Sequence, residues 1–305
     1  MTELPPDDVK SVRQEALDRT RRSLYRRAVL IAVVGNVLLA TAKGVVAWTT
    51  GSSAVLSDAA NSLSDTMYSV LMALGLYVAQ QPADQSHPQG HSRFEPLVSL
   101  LIAVAMGVAG FSAVREGVAR LRGGGTAVAL TWPTVVLWGS ALAKVAMYKL
   151  VIDLGRRASS PALRASARDN LADVLASGAA WLGVLGSNAV HPLLDPIAGV
   201  VVALWIFRAM WEILYENLGY LTGRGAPPEV MEDIVTAASA VPGVLNVHQV
   251  IADYVGPELR VDVHIDVDGE ITLREAHAIA ERVEARVEGL SSVDLAFVHV
   301  EPGDP

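Results

Sequence analysis

The sequence contains no cysteine and has few charged residues. The absence of cysteine excludes disulfides, thiolate nucleophiles and cysteine-based metal sites, so any metal ion would be held by oxygen and imidazole ligands. Only 18% of the 305 residues are charged and 51% are hydrophobic, which is too apolar for an ordinary soluble protein of this length. The formal net charge of −8 gives no reason to expect a nucleic-acid partner. These features favour a protein of the lipid bilayer.

Apolar stretches of the length needed to cross a bilayer recur six times. A helix spans about 30 Å of hydrocarbon with roughly 20 apolar residues. The predicted spans are Ala28–Trp48, Ala54–Ala79, Leu97–Leu121, Leu130–Leu154, Ala162–Leu185 and Leu193–Tyr215. We therefore divide the sequence into an N-terminal segment (1–27), a six-helix transmembrane domain (28–222) and a soluble domain (223–305).

Arginines indicate the orientation of these spans, because cytoplasmic segments of membrane proteins are enriched in Lys and Arg. Several arginines precede the first span, and the link that follows it, 49–53, has none. A group around the link between spans four and five agrees with this orientation: Arg156, Arg157, Arg164 and Arg168. Three near the outer end of span three oppose it: Arg115, Arg120 and Arg122. We predict a multi-pass protein of the cell membrane with both termini in the cytoplasm.

The segment after Pro227 changes to the pattern of a small α+β domain. Residues 261–267 alternate apolar and polar with period two, as a half-buried strand does. Thr272 and Glu275 have the spacing of a capping box at the start of a helix. In order, we predict a helix (229–240), two strands (244–254 and 259–267), a helix that ends at Val287 and a last strand (293–300). The α-β-β-α-β order predicts a small α+β domain, a sheet covered on one side by helices.

Two polar doublets lie at bilayer depth. Asn61 and Asp65 in span two are four residues apart and share a helix face, and Asp169 and Asp173 repeat this spacing in span five. Ionisable groups in hydrocarbon are costly unless they are paired, hydrated or bound to an ion. One such pair could simply stabilise a helix end or form hydrogen bonds within the bundle. Two pairs at matching spacing predict a metal site of three carboxylates and one amide oxygen.

Histidines form two further candidate metal sites. Asp84, His87 and His91 lie within eight residues in the link between spans two and three, where one carboxylate and two imidazoles suit a first-row metal. A solvated polar loop is the alternative. In the soluble domain, four histidines on predicted strands or a helix accompany an acidic residue at the end of the last strand: His248, His264, His277, His299 and Glu301. These residues could bind metal or lie on the surface by chance.

Together these motifs resemble the cation diffusion facilitators, a family of six-span, proton-coupled exporters of divalent metals with a cytoplasmic metallochaperone-like domain. The resemblance rests on the segment 57–65, on Gln81-Pro82-Ala83-Asp84 with the loop histidines, on 169–173 and on the tail histidines. It implies a homodimer with three kinds of metal site. The transport site would comprise Asn61, Asp65, Asp169 and Asp173, the loop site Asp84, His87 and His91, and the dimer-stabilising site of the tail His248, His264, His277, His299 and Glu301.

The transport doublets contain no histidine, which bears on the metal. Zinc-transporting members of this family usually have a histidine among the four ligands, and imidazole suits Zn²⁺, whereas an all-oxygen site suits the harder Mn²⁺. The combination of Asn-x-x-x-Asp with Asp-x-x-x-Asp also resembles the bacterial manganese-exporting branch. We expect Mn²⁺ as the substrate, with Zn²⁺, Fe²⁺, Co²⁺ and Cd²⁺ as alternatives, and no prosthetic group.

The expected function is proton-coupled efflux of divalent cations by alternating access, which is transport and not enzymatic catalysis. The tail would bind metal and tighten the homodimer, because a ligand favours the state that binds it better. Two other classes are alternatives. An intramembrane aspartyl protease also places aspartates in two helices, but it requires neither the doublets nor the loop histidines. A membrane metal sensor that does not transport would keep the tail sites but would not need four polar residues in the bundle.

Overall fold

The computed structural model describes residues 19–50, 53–122, 132–189, 191 and 193–303, and the chain divides into two compact units between Asn217 and Leu218. In the described residues, the first unit is built from six long helices: α1 (Arg19–Thr50), α2 (Ser53–Ala79), α3 (Phe94–Arg122), α4 (Trp132–Arg157), α5 (Pro161–Ala189) and α6 (Leu194–Leu221). Most of the predicted N-terminal segment, 1–18, and the predicted start of the fourth span at Leu130 lie outside the described residues.

Small residues allow the helices of the bundle to pack closely. α1 packs against α2 and α4, α4 packs against α5, and α3 packs against α2 and α5. α6 approaches α3 at two glycines: a Cβ at Gly107 would lie 2.5 Å from Met210 Sδ, and one at Gly117 would lie 2.8 Å from Val200 Cγ2. Close approach at small residues is typical of helices in membranes. The apolar core of the bundle includes Met72, Leu76, Met106, Val151, Leu163 and Ile213.

The outer surface of the bundle is apolar, as a lipid environment requires. Leu101, Phe111 and Leu204, for example, are 57%, 64% and 61% exposed. Within the part of the chain that the structure describes, three helices are long and apolar enough to cross a membrane: Thr20–Thr49, Phe94–Ala119 and Pro196–Leu221. The other three long helices, α2, α4 and α5, carry polar residues that face the interior and make them less apolar. The structure confirms the predicted six-helix membrane bundle.

The second unit is a three-stranded sheet with two helices. After α6 the chain forms α7 (Pro228–Ser239), β1 (Asn246–Val255), β2 (Glu258–Asp268), α8 (Leu273–Glu288) and β3 (Val293–Gly303). β2 lies in the centre, antiparallel to β1 and parallel to β3, with α8 as the crossover between the parallel strands. The predicted α-β-β-α-β order is confirmed. So is the capping box, in which Thr272 and Glu275 each bond the other's backbone N–H.

The two faces of β2 have different roles. One face packs with α7 and α8 in a hydrophobic core that includes Leu259, Val261, Val263, Ile265, Ile234 and Val283. The alternate residues of β2, among them His264 and Asp266, are half-buried on the opposite face because successive side chains of a strand point to opposite sides. The open face of the sheet is therefore available for a polar site.

A buried polar network joins three helices beside the α2–α3 link. Glu95, in the first turn of α3, is only 2% exposed. Its carboxylate accepts hydrogen bonds from the Tyr25 hydroxyl of α1 at 2.8 Å and from the hydroxyl of Ser160, which immediately precedes α5. The Arg21 side chain in turn donates to the Tyr25 hydroxyl at 3.1 Å. This network fixes the start of α3, one turn after the loop histidine His91.

Candidate metal centres

Three aspartates from α2 and α5 converge inside the bundle. Asp65, Asp169 and Asp173 each offer a carboxylate oxygen, and these oxygens lie within 4.8 Å of one another. Asp169 and Asp173 share a face of α5 because one helical turn separates them. Asp65 is buried, and the two aspartates of α5 are half-buried. Clustered carboxylates are ligands that hard divalent cations prefer. We call these three residues the carboxylate cluster.

A lysine that was not identified from the sequence lies within the carboxylate cluster. Lys144 of α4 is 3% exposed, and its Nζ lies 2.9 Å from Asp65 Oδ2 and 2.8 Å from Asp173 Oδ2. It reaches the aspartates because α4 packs against α5. Its positive charge offsets part of the repulsion among three like charges. An ionisable residue in a predicted span is itself a functional signal, and that signal could have identified Lys144.

Polar side chains of α1 and α2 surround the carboxylate cluster. Lys43 Nζ donates to Ser62 Oγ at 2.9 Å, and the Ser69 hydroxyl donates to the backbone oxygen of Asp65 at 2.8 Å. Asn61, the predicted fourth ligand, lies one turn before Asp65 and is exposed. Among the described residues, no hydrogen bond or ion pair joins Asn61 to the three aspartates. The role of Asn61 as a ligand stays a prediction.

The α2–α3 link brings together Asp84, His87 and His91. His87 Nδ1 lies 3.7 Å from Asp84 Oδ1, His91 Nε2 lies 3.6 Å from Asp84 Oδ2, and the two imidazole centroids are 4.5 Å apart. Gly90, with φ of 96°, supplies the turn between the histidines, since this left-handed conformation is unfavourable for other residues. The three side chains can direct one ligand atom each to a common point. We call them the loop cluster.

Backbone N–H groups hold the Asp84 carboxylate in place. The N–H groups of His87 and Ser86 donate to Asp84 Oδ1 at 2.7 Å and 2.8 Å. These bonds, the one from His87 first, lower the pKa of the Asp84 carboxyl below its usual value because they stabilise the ionised form. Asp84 is therefore ionised at neutral pH and held beside both imidazoles. Ligands of a metal ion must be deprotonated, and this carboxylate meets that condition.

A second histidine cluster lies on the open face of the tail sheet. The parallel register of β2 and β3 places His264 beside His299 and Asp266 beside Glu301. Glu301 Oε1 lies 3.5 Å from His264 Nδ1 and from His299 Nε2, and 3.6 Å from His248 Nε2. Ligand atoms of His248, His264 and Glu301 lie within 4.8 Å of one another. We call His248, His264, His299 and Glu301 the tail cluster; its ligand types suit borderline first-row metals.

A β-bulge accompanies His248, the member of the tail cluster on β1. The register of β1 against β2 shifts between Val247 and Gln249, and a bulge at such a position re-aims its side chain. His248 Nδ1 lies 3.0 Å from Asp266 Oδ1, so this carboxylate orients the imidazole. Asp266 was not among the residues predicted from the sequence. Its period-two spacing from His264 was the available signal.

Two further histidines lie apart from these clusters. His277 is exposed on α8, where its Nε2 lies 3.3 Å from Glu281 Oε1 of the next turn. The structure does not bring His277 to the tail cluster of the same chain. His191 is exposed in the α5–α6 link, where the Leu193 N–H donates to its Nδ1 at 3.3 Å.

The fold and the carboxylate cluster define a membrane protein that handles cations. Six long helices enclose three carboxylates and a lysine, and ionisable groups inside a membrane bundle mark ion pathways. The chain belongs to the cation diffusion facilitator family, as the sequence motifs predicted. The model of the cation efflux transmembrane domain matches residues 29–222, and that of the cytoplasmic domain of cation efflux proteins matches residues 226–303. The protein is a membrane transporter for the efflux of metal cations.

Relatives are similar over both units of the chain. An uncharacterized transporter of Methanocaldococcus jannaschii is 34% identical over 275 residues, which cover 90% of this chain and 97% of that protein. The manganese efflux system protein MneS of Bacillus subtilis is 27% identical over 276 residues, with coverage of 90% and 94%. The magnetosome protein MamM of Paramagnetospirillum magneticum is 31% identical over 290 residues, with coverage of 90% and 88%. The match therefore includes the transport and tail regions together.

Proposed function

We propose that the protein exports Mn²⁺ from the cytoplasm in exchange for protons, by alternating access. In this proposal residues 28–222 form the transport domain of a multi-pass protein of the cell membrane. Residues 223–305 form a cytoplasmic regulatory domain, and both termini are cytoplasmic. Asn61 and the carboxylate cluster of Asp65, Asp169 and Asp173 hold the ion during transport. Zn²⁺, Fe²⁺, Co²⁺ and Cd²⁺ are the alternative substrates.

The convergence of three carboxylates from α2 and α5 carries this proposal. Their oxygens lie within 4.8 Å of one another, a spacing that one divalent ion can bridge. The ligands come from two separate helices, so a relative movement of α2 and α5 would open or close the site, as alternating access requires. Oxygen ligands without imidazole favour Mn²⁺ over softer or borderline ions. A manganese efflux protein among the relatives agrees with this choice.

Proton exchange follows from the electrostatics of the carboxylate cluster. Three carboxylates that lie this close repel one another; Lys144 offsets part of the repulsion, and either a metal ion or protons relieve the remainder. Metal binding therefore expels protons, and proton binding assists release of the metal on the far side. An inward proton gradient would drive the cycle in the direction of efflux. The ion enters the cycle as substrate and leaves unchanged.

The loop and tail clusters have regulatory roles in this proposal. The loop cluster of Asp84, His87 and His91 binds the same ions at the cytoplasmic end of α3. The tail cluster binds metal when its cytoplasmic concentration is high and stabilises a homodimer, because a ligand shifts an equilibrium toward the state that binds it better. His277 of α8 is the predicted tail ligand that the chain does not bring to the tail cluster, so we assign it a secondary role at most.

Uptake into proteoliposomes tests the transport proposal. We expect accumulation of Mn²⁺ that depends on a proton gradient and exceeds accumulation of Zn²⁺ under the same gradient. Asp173→Ala should reduce Mn²⁺ uptake to the level of protein-free vesicles. Asp153→Ala is the matched control, because Asp153 is exposed on α4 and, among the described residues, pairs with Arg157 of the same helix at 3.0 Å. Full activity of the Asp173 variant would remove the proposed site, whereas a Zn²⁺ preference would remove the assignment of Mn²⁺ alone.

A separate experiment tests the tail. Replacement of His248 and His264 by Ala should abolish metal binding by the tail and the metal-induced increase in dimer. The tail has its own hydrophobic core, so metal binding and sedimentation can be measured on residues 223–305 as well as on the full chain. Unchanged binding and dimerisation in this double variant would contradict the regulatory role without affecting the transport proposal.

A further inference from the structure

Lys144 holds the position in the carboxylate cluster that a bound cation would take. Its ammonium nitrogen lies 2.9 Å from Asp65 Oδ2 and 2.8 Å from Asp173 Oδ2, so it bridges the carboxylates of α2 and α5. Carboxylate oxygens approach Mg²⁺ or Ca²⁺ at about 2.0–2.6 Å, and a dication bound by these oxygens would therefore meet the ammonium at short range. Two cations that close repel each other strongly in a water-poor site.

The surroundings of Lys144 leave its ammonium group dependent on the aspartates. Lys144 is 3% exposed, so water does not solvate its charge, and a buried ammonium without ionic partners is unfavourable. Asp65 is buried as well. Each group therefore compensates the charge of the other. A divalent ion can bind these carboxylates only if the ammonium group moves aside.

The chemistry of lysine suits a group that must move. Its ammonium is a compact charge on a flexible four-carbon stem, whereas the guanidinium of arginine is a rigid planar group that forms bidentate hydrogen bonds with carboxylates. Lys144 can thus retract along α4 without unfolding the helix. The tether also keeps the ammonium close to the aspartates at all times, which gives it a high effective concentration compared with free ions.

We infer that Lys144 is a tethered cation that occupies the carboxylate cluster between one metal ion and the next, and that a divalent ion must displace its ammonium group in order to bind. This inference rests on the proposed transport function of Asp65, Asp169 and Asp173. Lys144 is a positioning and specificity residue in this role, because it keeps the aspartates assembled and competes with the substrate.

Two consequences follow for selectivity and turnover. A monovalent ion brings no more charge than the ammonium and lacks its tether, so Na⁺ and K⁺ do not displace Lys144, whereas a divalent ion gains twice the Coulombic attraction. The competition also weakens metal binding, since part of the binding free energy is used to move the lysine. Weaker binding favours release on the far side, and the returning ammonium helps to expel the ion.

Equilibrium binding of radioactive Mn²⁺ to the purified full-length protein tests this inference. The parent chain and all variants in this experiment carry His87→Ala, His248→Ala and His264→Ala, so that bound Mn²⁺ reports the carboxylate cluster. Lys144→Met removes the charge but keeps an unbranched side chain that fits a buried position. Lys149→Met is the matched control, because Lys149 is exposed on the same helix.

We expect Lys144→Met to bind Mn²⁺ at least about tenfold more tightly than the parent chain, because a neighbouring positive charge no longer opposes the ion. In proteoliposomes the same variant should show a lower KM and a lower maximal rate, since release becomes slow. It should also lose discrimination against Na⁺, measured as competition with Mn²⁺. Lys149→Met should match the parent chain in all three measurements.

Unchanged or weaker Mn²⁺ binding by Lys144→Met would overturn the inference, provided that Asp173→Ala still abolishes transport. Normal transport by Asp173→Ala would instead overturn the proposed site itself, so the two failures are distinguishable. Lys144→Arg keeps the charge and is the test variant if Lys144→Met does not fold. Its rigid guanidinium should hold both carboxylates and weaken Mn²⁺ binding at least about tenfold; equal or tighter binding would contradict the inference.

Discussion

The carboxylate cluster in the helical bundle and the tail cluster on the sheet differ in how their charges are balanced. In the bundle, three carboxylates lie within 4.8 Å and a buried lysine bridges two of them. In the tail, imidazoles of three histidines surround the carboxylate of Glu301 at 3.5–3.6 Å, and Asp266 lies 3.0 Å from one of them, His248. In the bundle an ammonium group offsets part of the negative charge of the carboxylates, whereas in the tail imidazole nitrogens lie next to the carboxylates.

The supports of the two clusters differ as well. The carboxylate cluster comes from α2 and α5 and its lysine partner from α4, so the geometry changes if these helices move. The tail cluster lies on hydrogen-bonded strands, where the register of β2 and β3 fixes the spacing of His264 and His299. A site on separate helices suits an ion that must enter and leave, whereas a site on a rigid sheet suits an ion that is retained. This difference supports transport in the bundle and regulation in the tail.

The largest expected effect separates the two clusters by function. Asp169→Asn should reduce Mn²⁺ transport by more than about 100-fold, because it removes one of three charged ligands. Loss of a residue that only hydrogen-bonds to a metal ligand already costs roughly 10- to 100-fold. His248→Ala with His264→Ala should leave most of the transport intact at saturating Mn²⁺. Initial rates of uptake into proteoliposomes compare the two variants. Loss of transport in the tail variant would show that the tail is part of the transport pathway.

A smaller effect is expected on metal selectivity when an imidazole is introduced into the bundle. Asn61→His should lower the ratio of Mn²⁺ to Zn²⁺ transport by about tenfold, equivalent to about 1.4 kcal/mol, because imidazole is a better ligand for Zn²⁺ than for Mn²⁺. Competition between the two ions in the uptake assay measures this ratio. Asn61→Gln keeps an amide and is the control. An unchanged ratio in the His variant would place Asn61 outside the transport site, in agreement with its exposure on α2.

Within the tail, two adjacent residues of β2 should separate stability from metal binding. Ile265 is fully buried in the core, and its replacement by Ala should lower the free energy of unfolding by about 2–5 kcal/mol. His264 is half-buried on the open face, and its replacement by Ala should cost about 0.5 kcal/mol or less without metal. Urea unfolding of residues 223–305 measures both values. Added metal should stabilise the Ile265 variant but not the His264 variant, and the reverse pattern would contradict the assignment of the two faces.

The architecture could be predicted because its signals are local. The apolar runs predicted the six helices, although the described part of α1 reaches upstream of Ala28 to Arg19, since an arginine-rich helix can continue beyond the apolar stretch. The period-two pattern correctly predicted β2, and the capping box of Thr272 correctly predicted the start of α8. The spacing of one helical turn within each doublet identified Asp65, Asp169 and Asp173 as candidate ligands. Such patterns depend only on residues close in sequence.

The contacts that the sequence did not reveal depend on packing and register. Lys144 meets the aspartates because α4 lies against α5, and no pattern within span four predicts which neighbour its ammonium reaches. Asp266 meets His248 because of the bulge in β1, and a shift of one residue in this register would send the histidine to the other face. His277 was grouped with the tail histidines by family pattern, but its place on α8 separates it from them in this chain.

A further expected effect on stability concerns the capping box that begins α8. Thr272→Ala should lower the free energy of unfolding of the tail by about 0.5–2 kcal/mol at neutral pH, because the Glu275 N–H at the start of α8 loses its side-chain acceptor. The Thr272 side-chain hydroxyl, which donates to the Glu275 carboxylate at 2.7 Å, is the main cause that lowers the pKa of Glu275. Thr272→Ser keeps the hydroxyl and should behave as the parent chain.

The pH dependence of this effect has a definite sign. A carboxyl group whose pKa is lower in the folded state stabilises the fold above its usual pKa and loses this contribution as the pH falls through the lowered value. The difference in unfolding free energy between the parent chain and Thr272→Ala should therefore be largest at neutral pH and shrink in acid. Urea titrations of residues 223–305 between neutral and acidic pH measure this difference. A difference that stays constant with pH would assign the stabilisation to the Glu275 N–H bond to Thr272 Oγ1 alone, without the carboxylate.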